Sequence, residues 1–108
     1  MPTGITSITF PQGTKLDMDY YLSTHLPLVQ KHWEQFGLKK WTIIQYPDDS
    51  EYFMQAILEW ENEESYHKTM ASDTVGVLMN DVKNFVDRSP TFSSGKVVCS
   101  SLVGSQER

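Results

Sequence analysis

The sequence is poor in the features that most often declare a chemistry. Its 108 residues include one cysteine, Cys99, which excludes an intrachain disulfide and a multi-cysteine metal cluster within one chain. A lone thiol suits a reducing compartment, and with no evident base beside it Cys99 reads as a small core residue. Basic residues are also few: 9 Lys and Arg against 14 Asp and Glu give a formal net charge of −5. Such a charge repels a phosphate backbone. The Lys39-Lys40 pair is too short to override it, so no nucleic-acid partner is expected. The 6 glycines are scattered along the chain, forming no phosphate-cradling loop. A G-x-S-x-G nucleophile motif is missing too. No apolar run nears membrane-spanning length, and Met1-Pro2-Thr3-Gly4 lacks the basic and apolar segments of a secretory signal. The expectation is a cytoplasmic protein with no membrane partner.

What is present suits one packed domain. Hydrophobic residues make up 39% and aromatics 12% of the chain, enough to fill one core at this length. The domain is expected to span residues 1–103, with 104–108 as a polar tail. Ile5 to Phe10 alternates as a strand, with Thr6, Ile8 and Phe10 on one face. Pro11-Gln12-Gly13 breaks it. Asp17 then offers an N-cap to a helix running to about Phe36, where Gly37 stops it. Trp41 to Tyr46 and Tyr52 to Trp60 read as strands joined through Pro47-Asp48-Asp49-Ser50. Helices are predicted over Glu61 to Met70 and Thr74 to Val86, and a last strand over Lys96 to Val103. The order β-α-β-β-α-β is the ferredoxin-like split βαβ, an α+β fold with a four-stranded antiparallel sheet. Its helices cover one face only. The other carries Phe53 and Ile57, so packing of two copies sheet to sheet is expected.

At about 100° per residue, Met18, Tyr21, Leu22, His25, Leu28, Val29, His32 and Phe36 share one helical sector. Pro27 lies outside it and predicts a kink or break after about Thr24. His25 and Tyr21 stand one turn apart on the apolar stripe, so an imidazole and a phenol face the same cleft. That spacing fits a general acid/base, His25, with Tyr21 as its hydrogen-bonding partner. The competing reading makes His25 a buried histidine bonded to a backbone carbonyl that Pro27 frees. His32 suits the C-terminal helix dipole, and together with Trp41, Phe53 and Trp60 it is a candidate wall of a substrate pocket. His25 and His32 are too far apart to clamp one zinc ion, and nothing marks a haem ligand beyond the histidines themselves. No metal and no cofactor are expected.

The stretch Asp17 to Leu28, Asp-x-Asp-Tyr-Tyr-x-x-x-His-x-Pro-Leu, resembles the EthD family, named for ethyl tert-butyl ether degradation. The likeness continues through the hairpin ending in Glu59-Trp60, the acidic helix start, the Ala71-Ser72-Asp73 break and a helix rich in Asp and Phe. It implies a dimeric α/β barrel made of two ferredoxin-like units, each keeping a cleft between helices and sheet. The wider superfamily includes cofactor-free monooxygenases, polyketide cyclases, isomerases, dehydratases and haem enzymes. Carried over by position, Tyr21 and His25 match the motif and face the cleft, whereas Tyr20 matches it but points elsewhere. The resulting expectation is a homodimeric lyase, isomerase or cyclase of secondary metabolism. It would act on a hydrophobic, aromatic or polyketide-like small molecule by proton transfer. Cofactor-independent oxygenation and non-catalytic binding of a hydrophobic ligand are the alternatives.

Overall fold

Why the alternating stretches become strands is plain once they are paired. In the computed structural model, which describes residues 2–104, β1 (Gly4–Pro11), β2 (Leu38–Gln45), β3 (Tyr52–Trp60) and β4 (Thr91–Lys96) form one antiparallel sheet in the order β2-β3-β1-β4. The register sets Ile8 opposite Ala56 on one side and Phe92 on the other, with Ile43 beyond Ala56. Period-2 alternation therefore sends Thr6, Phe10, Met54, Ala56, Leu58 and Trp60 to one buried face. The opposite face carries Ile5, Ile44, Phe53 and Ile57 among Ser7, Thr9, Thr42 and Gln55, all half-buried. A polar line crosses it, with Tyr46 donating to Gln55 at 2.6 Å and Gln55 to Ser7 at 2.7 Å.

The first helical stretch is one continuous rod made of unlike pieces: α1 (Met18–Tyr20), a π turn (Tyr21–His25), α2 (Leu26–Trp33) and a 3-10 turn (Glu34–Phe36). Asp17 caps it, its carboxylate accepting from the Tyr20 amide. The break expected at Pro27 is thus a widened turn, in which the Leu26 amide donates to the Tyr21 carbonyl. Proline explains this. It removes the amide that would close an α turn on Ser23, and its ring clashes with that carbonyl unless the turn opens. The extra residue rotates the downstream face by one position. Leu26, Val29 and Trp33 are buried, whereas Leu22 is exposed and Leu28, His32 and Phe36 are half-buried, which corrects the predicted sector. Gly37 ends the rod at φ 111°, and a Cβ there would sit 2.5 Å from Ser65 Oγ.

Two further helices, α3 (Glu63–Met70) and α4 (Thr74–Val82), complete the layer. The predicted continuation to Val86 is instead a fold-back. The Phe85 carbonyl accepts from the Asp17 amide at 2.7 Å, and Leu16 bridges Val86. This tie seats Phe85 beside the entry of the first helix. The last strand also lies earlier than expected, at Thr91–Lys96 rather than Lys96 to Val103. Val97 still donates to the Thr3 carbonyl at 2.8 Å, but β1 begins at Gly4 and offers nothing further to pair with. Val98, Leu102 and Val103 therefore stay exposed despite their β-favouring residue types. Of the expected tail, residues 105–108 lie outside the described residues.

Candidate active site

An apolar cleft of about 480 Å³, its solvent-open part included, lies between the sheet and the helices. Ile8, Phe10, Ala56 and Leu58 form its floor, and Tyr21, His25, Leu26, Val29 and Trp33 one wall. Met79 and Val82 of α4, with Phe85, form the other wall, and Pro90 and Phe92 stand on the β4 side. Met79 and Phe92 are also exposed, which places the mouth between α4 and β4. Among the described residues of this lining, three carry a side-chain nitrogen or oxygen: Tyr21, His25 and Trp33. One of them, the Trp33 indole, is engaged with Thr74 Oγ1 at 2.9 Å. Tyr21 and His25 remain as the groups able to address a ligand.

His25 is 7% exposed and its ring is held on three sides. Tyr21 stacks on it at 5.8 Å and 15°, and Phe85 tilts against it at 4.4 Å and 45°. Its Nδ1 lies 2.8 Å from Asp81 Oδ2. The other carboxylate oxygen, Oδ1, accepts from the Tyr20 hydroxyl at 2.6 Å and from Asn84 Nδ2 at 3.0 Å. Loss of solvation is the strongest single influence on Asp81 and raises its pKa. The hydrogen bonds from Tyr20, His25 and Asn84 together outweigh it and hold the carboxyl below its ordinary value. An ionised carboxylate only accepts, so the ring form that satisfies this contact is the one with a proton on Nδ1. Burial raises the Tyr21 phenol well above its usual value, so it stays protonated as a donor. The bond to Asp81 raises Tyr20 in turn.

The structure thus brings Tyr21 and His25 to one cleft, in ring contact, and gives the His25 hydrogen bond to Asp81. Tyr20, expected to point elsewhere, reaches the same carboxylate. In an α-helix residues five apart diverge by about 140°, but a π turn closing i to i+5 stacks them. The remaining candidates lie elsewhere. His32 stands half-buried outside the cleft lining, on a face turned away by the π turn. Phe53 is on the opposite face of the sheet. Trp60 is buried at the sheet's far end, between Trp33 and Tyr66, its indole donating to Thr6. Trp41 donates to Gln30 beyond the cleft. Among the described residues no group of three or more His, Cys, Asp or Glu is placed to hold a metal, and no helix is long and apolar enough to cross a membrane.

No protein-family model and no curated protein matches the sequence. Solved structures do match in three dimensions. An EthD-like protein from Ralstonia eutropha JMP134 aligns with a TM-score of 0.77 over 94% of this chain and 96% of its own, at 16% identity. SnoaB, a cofactor-independent oxygenase from Streptomyces nogalater, aligns with a TM-score of 0.60 over 94% and 95%, at 11% identity. A dimeric ferredoxin-like protein from an uncultured marine organism gives 0.60 over 94% and 100%, at 21% identity. Together they define the class as a ferredoxin-like α+β protein. Within that class, this chain shares its fold with EthD-like proteins, the likeness that Asp17 to Leu28 carries in sequence.

Proposed function

We propose that this chain is a small-molecule enzyme that moves a proton on an apolar, aromatic or polyketide-like substrate. His25 Nε2 is the acid/base and the Tyr21 hydroxyl donates a hydrogen bond to the substrate. The observation that carries this reading is the His25 ring itself: it lines an apolar cleft while its other nitrogen is tied to an ionised Asp81 at 2.8 Å. A nitrogen so tied is fixed as a donor, which leaves its opposite number a base; once protonated, the ring is stabilised by the carboxylate. Cyclisation, dehydration and decarboxylation all turn on a proton removed or delivered in this way. Among the described residues no cationic side chain lines the cleft, so the substrate that fits it is uncharged where it is buried.

The homodimer belongs to the same reading. Ile5, Ile44, Phe53 and Ile57 mark a sheet face with no helix over it, and a second copy packed there buries them. The shared fold of a protein described as dimeric supports it.

The test is hydrogen exchange on an enolisable aromatic ketone, 2-tetralone, in deuterium oxide, followed by NMR. Wild-type protein should accelerate deuterium uptake at the carbon next to the carbonyl, and His25→Gln should remove the acceleration. Uptake no faster than in buffer, or equal for both proteins, refutes the assignment. The likeness to SnoaB supports a second reading, oxidation of the ionised substrate by dioxygen. Consumption of oxygen during turnover distinguishes it.

A further inference from the structure

We infer that Asp81 is a positioning residue for His25, and that Tyr20 and Asn84 act through it, locking the carboxylate so that His25 is held with its proton on Nδ1. This rests on the reading of His25 as the acid/base.

Each carboxylate oxygen has its own donors. Among the described residues Oδ2 serves His25 alone, at 2.8 Å, while Oδ1 takes Tyr20 at 2.6 Å and Asn84 at 3.0 Å. Rotation of the carboxylate would break all three bonds at once, so the group that orients the imidazole is itself oriented. The place of Asp81 in its helix makes the same point. It lies in the last turn of α4, where backbone carbonyls give the helix its negative end; that turn itself holds no basic residue, and Lys83 stands only at the C-cap beyond it. An ionised acid there is in the least favourable position a helix offers, and its side chain is only 13% exposed. Three donors from two parts of the chain hold a charge where the helix alone would reject it. The π turn is what brings two of them together. Tyr20 and His25 straddle it, and both reach one carboxylate because the turn carries an additional residue.

The test needs no substrate. Protein labelled with ¹⁵N-histidine has 3 imidazoles, and His25→Gln identifies the His25 signals. At a pH where the imidazoles are neutral, long-range ¹H–¹⁵N correlations report which nitrogen carries the proton. The wild type should show His25 with the proton on Nδ1, the minor form of free imidazole in water. Asp81→Asn should raise the Nε2–H fraction severalfold. Tyr20→Phe keeps the ring that stacks on Phe85 at 6.1 Å and removes only the hydroxyl, so it should move the fraction in the same direction by less. A wild-type His25 protonated on Nε2, or a tautomer unaltered in both variants, overturns the inference. Circular dichroism confirms that each variant is folded, and Tyr20→Phe decides the question should Asp81→Asn fail to fold. The tautomer is read without turnover, so loss of the acid/base role and loss of the positioning role are seen separately. A shifted tautomer with no deuterium uptake would refute the function and leave the clamp standing.

Discussion

Replacing Asp81 by alanine should destabilise the protein by about 1.5–3 kcal/mol at neutral pH. The figure follows from what loses its partner. His25 Nδ1 is nearly enclosed and Tyr20 partly so, and each donates to an ionised acceptor. A hydrogen bond to a charged group contributes about 1.5–3 kcal/mol, and the phenol recovers part of its share from water. The Asn84 bond is exposed and contributes little. Against this, removing an acid from the last turn of α4 returns about 0.3–1 kcal/mol. The effect also has a pH signature. Because the folded carboxyl of Asp81 is held below its ordinary value, its contribution is full above the unfolded carboxylate pKa, about 3.9. It is lost as pH falls through the lowered folded value. Urea denaturation followed by circular dichroism, at one protein concentration and from pH 7 down to pH 3, should show wild type and Asp81→Ala separated at pH 5 to 7. The gap should begin to narrow below about pH 4 and shrink further toward pH 3. A gap that stays constant to pH 3, or one below about 0.5 kcal/mol at pH 7, refutes an ionised, clamped Asp81.

Gly76→Ala, in the first turn of α4 with nothing within 4 Å of the added Cβ, should stabilise the protein by about 0.4–1 kcal/mol in the same denaturation assay. Gly37→Ala should cost about 1–3 kcal/mol from its positive φ alone, with the Ser65 overlap in addition. Ser65→Ala in that background should recover only the Oγ part of the overlap, because the Ser65 Cβ would still lie 2.9 Å from the added methyl. Ile57→Lys, on the sheet face away from the helices, should turn a dimer into a monomer by light scattering; an unaltered mass rules out that face as the interface. Ala56→Leu, at a fully buried position on the cleft floor, should abolish accelerated deuterium uptake from 2-tetralone while leaving the protein folded.

The order of elements along the chain and the two faces of β1 and β3 were legible because alternation is local and a strand's period of two leaves one choice of face. The same logic failed at Lys96 to Val103. Those residues have the strand pattern, but a strand needs an edge, and β1 has run out where they begin. Thr91–Lys96 carries the weaker pattern and has the edge. On the first helix, periodicity found Tyr21 and His25 because both fall within the π turn or at its end. It misplaced His32 because a constant 100° per residue cannot register an inserted position. Pro27 signalled that something happens near Thr24 without indicating whether the turn breaks or widens. Asp81 left no sequence signal as a partner of His25: 56 residues separate them, and an acid near the end of a helix reads as surface.

Three local disadvantages meet at one imidazole. A proline lies inside a helix, a turn is wound wider than the α geometry, and a carboxylate occupies the negative end of α4. Each costs stability where it stands, and none improves the packing of the core around it: Tyr21 and Phe85 would pack as well against an apolar side chain at position 25. A purely structural account must explain each separately. The site explains them together, since the proline opens the turn, the turn aligns Tyr20 with His25, and the carboxylate is the acceptor both require. Local rules broken in concert, around a group facing an apolar cleft, are the pattern expected where selection has favoured chemistry over stability.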